Sequence, residues 1–213
     1  MKAKTLLIAA ATLAVGAITS QAQVYSQNVV GYINVQLTNG YTMVCNQLDL
    51  DGTGTNNNIY STIGTNLPAN TQILCWNGST FSSSKLAASG KWSLNNQVVT
   101  NAMNPGRGFF INCPAQTNVT LVGQVIQGTN KYPVVAGYQI LSPSGPVAGG
   151  IQTVQGYAPS KNDQVLVWGG TTYTSHKYSG TAWSGGEPNF SVGQAVFLNA
   201  SSNNVWTNVL NIQ

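Results

Sequence analysis

Hydrophobic and polar positions alternate along most of this chain. Val29, Gly31, Ile33, Val35 and Leu37 interleave with Val30, Tyr32, Asn34 and Gln36, the period of a half-buried strand, and Asn39-Gly40 supplies a turn at its end. Further strands are predicted at Tyr41 to Leu48, Thr71 to Trp76, Ser79 to Ser84, Arg107 to Asn112 and Asn118 to Ile126. The second half reads as strands at Tyr132 to Leu141, Gln164 to Trp168, Thr171 to Tyr178, Gln194 to Asn199 and Val205 to Ile212. β-branched and aromatic residues fill these segments, and Gly, Asn or Pro separate them. Asn77-Gly78 and Gly169-Gly170 fall between consecutive strands, where a hairpin needs its turn. One short helix is predicted, because Asn58 to Gly64 sets Ile59 and Ile63 four residues apart ahead of a Gly stop. The expected fold class is all-β.

The two halves also read like copies of one another. Gln72 to Phe81 (QILCWNGSTF) matches Gln164 to Tyr173 (QVLVWGGTTY) in hydrophobicity and in its central Trp. Gly40-Tyr41 anticipates Gly137-Tyr138, Trp92-Ser93 anticipates Trp183-Ser184, and Gly106-Arg107-Gly108-Phe109-Phe110-Ile111-Asn112 anticipates Gly193-Gln194-Ala195-Val196-Phe197-Leu198-Asn199. Collinear self-similarity of this kind implies duplication. Two tandem, related β-sandwich-like modules are expected at 23–127 and 128–213, with the boundary at the turn formers Gln127 to Asn130. No Pro-rich or charged linker intervenes, so the modules are expected to pack together.

Residues 1–22 read as an address. Lys2 and Lys4 form a basic start, Thr5 to Ile18 an apolar run, and Ser20-Gln21-Ala22 a small-residue cleavage site, which predicts a signal peptide cut after Ala22. The run falls short of the roughly 20 residues a spanning helix needs, so no membrane span is expected after cleavage. The mature chain is expected outside the inner membrane: extracellular, at the cell surface, or in the periplasm. Without Lys2 and Lys4 the formal net charge falls from +4 to +2, which removes the main support for a nucleic-acid partner. Only 6% of residues are charged against roughly 25% in ordinary soluble domains, so uncharged polar groups must carry most of the surface.

Gly40-Tyr41-Thr42-Met43-Val44-Cys45-Asn46-Gln47-Leu48, Ile73-Leu74-Cys75-Trp76-Asn77-Gly78-Ser79-Thr80-Phe81 and Asn104-Pro105-Gly106-Arg107-Gly108-Phe109-Phe110-Ile111 together resemble a bacterial exported β module. Its pattern is an opening Gly-aromatic-x-x-Ile/Val-x-Asn strand, a Trp-x-Gly hairpin and a closing Pro-Gly-x-Gly-Phe-Phe strand. The resemblance covers most of Gly40 to Val122, with a degenerate copy from Gly137 to Val209 that lacks the Asn and the Pro-Gly-x-Gly turn. It implies a compact sandwich-like module in secreted or surface-attached proteins, mostly without an assigned activity. No catalytic residue comes with it.

General acid-base chemistry needs titratable groups, and the acids are only Asp49, Asp51, Asp163 and Glu187, with a single histidine, His176. No strand-turn-helix nucleophile elbow surrounds a serine. The chain is therefore expected not to be an enzyme, with no catalytic residue and no cofactor. Asp49-Leu50-Asp51-Gly52-Thr53-Gly54-Thr55-Asn56 resembles part of a calcium loop, but it lacks the third acid and the closing Glu, so Asp49 and Asp51 are at most a weak metal site. Cys45, Cys75 and Cys113 are expected to be buried free thiols. Should one of them be exposed, it would be Cys113, beside Pro114 at a strand end, where an odd thiol could crosslink subunits.

Tryptophans supply the candidate binding surface. Trp76 and Trp168 are expected in the core, whereas Trp92 and Trp183 sit in Gly/Ser-rich stretches and Trp206, matched to the polar Thr120, is expected to be exposed. Two functions follow as expectations. One is a non-enzymatic structural or adhesive protein of the envelope or extracellular matrix that associates with itself as a homo-oligomer or filament. The alternative is a carbohydrate-binding module that takes a polysaccharide on Trp92, Trp183 and Trp206.

Overall fold

A computed structural model of the chain describes residues 29–94 and 103–212. The expected signal peptide at 1–22 lies outside the described residues. The described chain is all-β, 48% strand, with one short helix and several antiparallel sheets. Among the described residues no helix is long and apolar enough to cross a membrane.

In the first half, β1 (Val30–Leu37) pairs antiparallel with β7 (Thr117–Gln124), and the two close a ribbon. Between them lie β2 (Gly40–Cys45), β3 (Gln72–Trp76), β4 (Phe81–Leu86), β5 (Trp92–Leu94) and β6 (Gly108–Cys113), which form one sheet in the order β2-β6-β3-β4-β5. In the second half, β8 (Gly128–Val134) pairs with β15 (Asn204–Leu210) as a second ribbon. Strands β9 (Gly137–Leu141), β11 (Gln164–Trp168), β12 (Tyr173–Lys177) and β14 (Val196–Ala200) form a sheet in the order β9-β14-β11-β12. Two-residue strands β10 (Gly149–Gly150) and β13 (Asn189–Phe190) pair with each other. The ribbon pairs its first and last strands in both halves, and β9, β14, β11 and β12 occupy the places of β2, β6, β3 and β4.

Side-chain alternation decides which faces are buried. Ile33, Leu37, Val119 and Leu121 of the first ribbon pack on Val44, Ile73, Phe109 and Ile111 of the sheet beneath. The intervening residues Met43, Leu74, Trp76 and Phe110 point the other way, onto Ile140, Leu166, Trp168 and Phe197 of the second sheet. Val165, Val196 and Leu198 in turn face Val134 and Trp206 of the second ribbon. The layers therefore run ribbon, sheet, sheet, ribbon. A strand buried on both faces cannot alternate with polar residues, which is why β6 and β14 carry the continuous apolar runs Phe109-Phe110-Ile111 and Val196-Phe197-Leu198. Close approach of the two sheets leaves no room for a side chain at Gly108, where a Cβ would collide with Ala195 and Ile140.

The helix α1 (Ile59–Thr62) lies inside the predicted segment and is capped by Asn58, whose side chain accepts from the Tyr60 and Ser61 backbone N–H groups. Both Gly-bearing hairpins form, closed by Asn77 N–H to Thr80 O and by Gly169 N–H to Thr172 O. The predicted strand Tyr132 to Leu141 divides into β8 and β9 on either side of Val135-Ala136.

Candidate functional site at the seam between the sheets

Where the sheets meet, each half lends the other the same groups. Trp76 Nε1 donates to the Tyr138 carbonyl at 2.8 Å, and Trp168 Nε1 donates to the Tyr41 carbonyl at 2.9 Å. Trp76 stands edge-on to Phe197 with ring centroids 5.7 Å apart, while Trp168 stands edge-on to Phe110 at the same separation. Backbone groups repeat the exchange, with Cys45 N–H to Gly193 O at 2.9 Å and Ser142 N–H to Gly106 O at 3.1 Å. Single bridges Val44 to Gln194 and Arg107 to Leu141 flank them.

One contact has no twin. Gln47 is wholly buried, and its amide donates to the Ser142 hydroxyl and to the Pro143 and Gly145 carbonyls. Its carbonyl accepts from Gly193 N–H at 2.7 Å. At the corresponding place in the second half stands Ser144, whose buried hydroxyl lies near the Tyr132 hydroxyl but outside hydrogen-bond geometry with any partner.

A groove opens at each end of the seam. The first, about 440 Å³, is lined by Trp76, Ser82, Arg107, Tyr138 and Gln139 among others. The second, about 390 Å³, is lined by Trp168, Gly170, Tyr41, Asn34 and Gln194. The matched indoles and tyrosines make them counterparts, and Arg107 in one against Gln194 in the other is their main chemical difference.

The tryptophans expected to form a sugar platform are placed differently. Trp92, Trp183 and Trp206 retain 4%, 7% and 1% of their surface, so none offers a ring face to a ligand. Trp92 is folded under α1, donating to Gly64 O, and its backbone N–H meets the Tyr60 hydroxyl. Trp183 packs on Tyr178, with its indole N–H buried and unpaired. Trp206 packs at a tilt against Tyr157 and donates to Gln155 O. Its exposure was expected from a match to Thr120, but the ribbon registers, Leu37 opposite Thr117 and Val134 opposite Asn204, align Trp206 with buried Val119. A slip of one residue reverses the face.

Cys113 is fully buried, as expected of a packed thiol, because it follows Phe109 and Ile111 at the inward period of β6, and that burial puts it out of reach of a crosslink to another subunit. Its sulfur lies 3.5 Å from Thr71 Oγ1. All three cysteines are free thiols; Cys45 is buried and Cys75 half-buried. Burial pushes the Cys45 thiol up to about 12 and that of Cys75 up to about 11.

Asp49 and Asp51 serve their own loop. Asp49 accepts from Gly54 N–H and from the Asn57 amide, which orders the chain between β2 and α1. Asp51 accepts from Thr53 and Asn56, and the Thr53 hydrogen bonds hold its carboxyl below the usual range. Among the described residues, no three His, Cys, Asp or Glu side chains gather as metal ligands.

Asp163, Glu187 and His176 are likewise occupied. Asp163 is buried, taking bonds from the Tyr157 hydroxyl and Ser160 N–H on one oxygen and from Ser201 on the other. Burial first, and then that carboxylate, push the Tyr157 hydroxyl above the ordinary tyrosine value. Glu187 holds the Gln152 and Thr153 N–H groups, and His176 Nδ1 meets Gly186 O.

Sequence reasoning did not single out Gln47 or the grooves. The mismatch of Gly-Arg-Gly with Gly-Gln-Ala between the halves was the available signal for Arg107. No family model, no curated protein and no solved structure matches the chain.

Proposed function

We propose that this chain is an exported, non-enzymatic structural or adhesive protein of the bacterial envelope or extracellular matrix. It is built from two tandem, related β-sandwich-like modules behind a cleaved signal peptide, and it associates with itself. The common strand order of the two sheets and the common ribbon pairing support the duplication. One observation carries the functional reading: the outward face of the β1–β7 ribbon is exposed and uncharged. Tyr32, 74% exposed, sits opposite Val122, 49% exposed, and Val30 stands beyond them. Asn34 opposite Thr120 and Gln36 opposite Asn118 continue the same face. Neutral hydrogen-bonding groups around an apolar centre favour adhesion, and this ribbon carries none of the Lys or Glu side chains that keep natural strand edges apart.

The test is light scattering after size exclusion, with negative-stain imaging, on the chain from Gln23. Assemblies that grow with concentration, and that Tyr32→Lys disperses, are the expected result. A monomer at every concentration defeats self-association.

A further inference from the structure

We propose that the groove beside Arg107 binds a carboxylate-bearing polysaccharide, one uronate carboxylate docking on the guanidinium. The inference goes beyond self-association and does not depend on it. Arg107 is exposed, and its side chain makes no hydrogen bond or ion pair among the described residues. Among the described residues it is the single charged one lining the groove, and none of the other lining residues is a carboxylate that would compete for it. A planar guanidinium holds a carboxylate through two parallel N–H bonds, which is the recognition an isolated Arg performs best.

The rest of the groove suits a sugar chain. Its volume, about 440 Å³, lies within the range of small-ligand sites. Ser82 and Tyr138 also line it, and their hydroxyls make no hydrogen bond among the described residues, which leaves both available to sugar hydroxyls. Tyr138, 43% exposed, and half-buried Trp76 add aromatic surface for sugar C–H groups. Nucleic acid would need several phosphates neutralised together, and the groove has one cation. An acidic peptide would add to the edge strand β9 through its backbone, but Trp76 Nε1 already occupies the Tyr138 carbonyl there.

The second groove is a built-in control. It has Trp168 and Tyr41 in the matching places, but Gln194 replaces Arg107 and turns its carbonyl to Ser191 N–H.

Titration calorimetry at low salt with galacturonate oligomers tests the proposal, using the chain from Gln23. One site per chain is expected, weakening as salt is added. Arg107→Gln, which installs the residue of the second groove, should lower affinity about ten- to a hundred-fold while leaving the melting temperature unchanged. Gln194→Arg should raise the stoichiometry from one toward two. Failure of the wild-type chain to bind, or equal binding by Arg107→Gln, overturns the assignment. Equal binding of neutral xylose oligomers removes the role of the carboxylate, and equal binding of polyglutamate makes the ligand a peptide; either result overturns it too.

Discussion

Trp92 and Trp183 hold matching positions, one paired opposite Leu86 and the other bridged to Tyr178, yet their indoles fare differently. The first donates to Gly64 O at the end of α1. The second half has no helix there, and the second indole N–H is buried unpaired. The same inequality separates Gln47, satisfied at both ends of its amide, from Ser144, satisfied at neither donor nor acceptor. Matching backbones thus coexist with unequal polar bookkeeping. The insertion that carries α1 supplies the acceptor that Trp183 lacks, whereas every partner of Gln47 comes from the second half, across the seam.

Exchanging residues between the halves probes this difference. The largest effect is expected from Trp206→Val, which gives the second ribbon a residue like the Val119 of the first. It empties the space of a fully buried indole and leaves the Gln155 carbonyl only the longer bond from the Asn208 amide, for a loss of about 3 kcal/mol in urea unfolding. Gln47→Ala should cost about 2 to 3 kcal/mol, because Gly193 N–H is left buried and unpaired. Ser144→Ala, by contrast, should change stability by less than about 0.5 kcal/mol or raise it. Trp92→Phe should cost about 1 to 2 kcal/mol and Trp183→Phe clearly less, since only the first breaks a hydrogen bond. Equal losses at the two tryptophans would refute the inequality.

The smallest effect is alkaline. Cys45 and Cys75 have folded pKa values raised above the unfolded 9.0, so their contribution is fully present below pH 9 and fades as pH rises toward about 11 and 12. Cys45→Ser with Cys75→Val, close to the Ser142 and Val167 of the second half, should flatten the decline in melting temperature that begins near pH 9.

Strand periodicity made much of the all-β class legible. The alternation of β1, the two Gly hairpins and the short helix within Asn58 to Gly64 are written in adjacent residues and survive in the structure. Tertiary placement was harder to read. Val134-Val135-Ala136 is apolar throughout, so the break between β8 and β9 is marked only by Gly137, which opens β9 with a positive φ as Gly40 opens β2. The face of Trp206 depends on a ribbon register fixed by pairing with β8. Gly/Ser-rich surroundings suggested exposure for Trp92 and Trp183, but such segments fold over large rings as readily as they present them. Gln47 follows a strand as an ordinary polar residue, and only the approach of the second half buries it.

β7 ends at Gln124 and β8 begins at Gly128, so Val125, Ile126 and Gln127 alone tether the two halves. Each indole at the seam finds its acceptor only across that join. The short tether therefore sets an effective concentration in the millimolar range for partners that would otherwise meet by diffusion. Cutting the tether would make the seam's stability depend on dilution, and two cut chains could then trade halves.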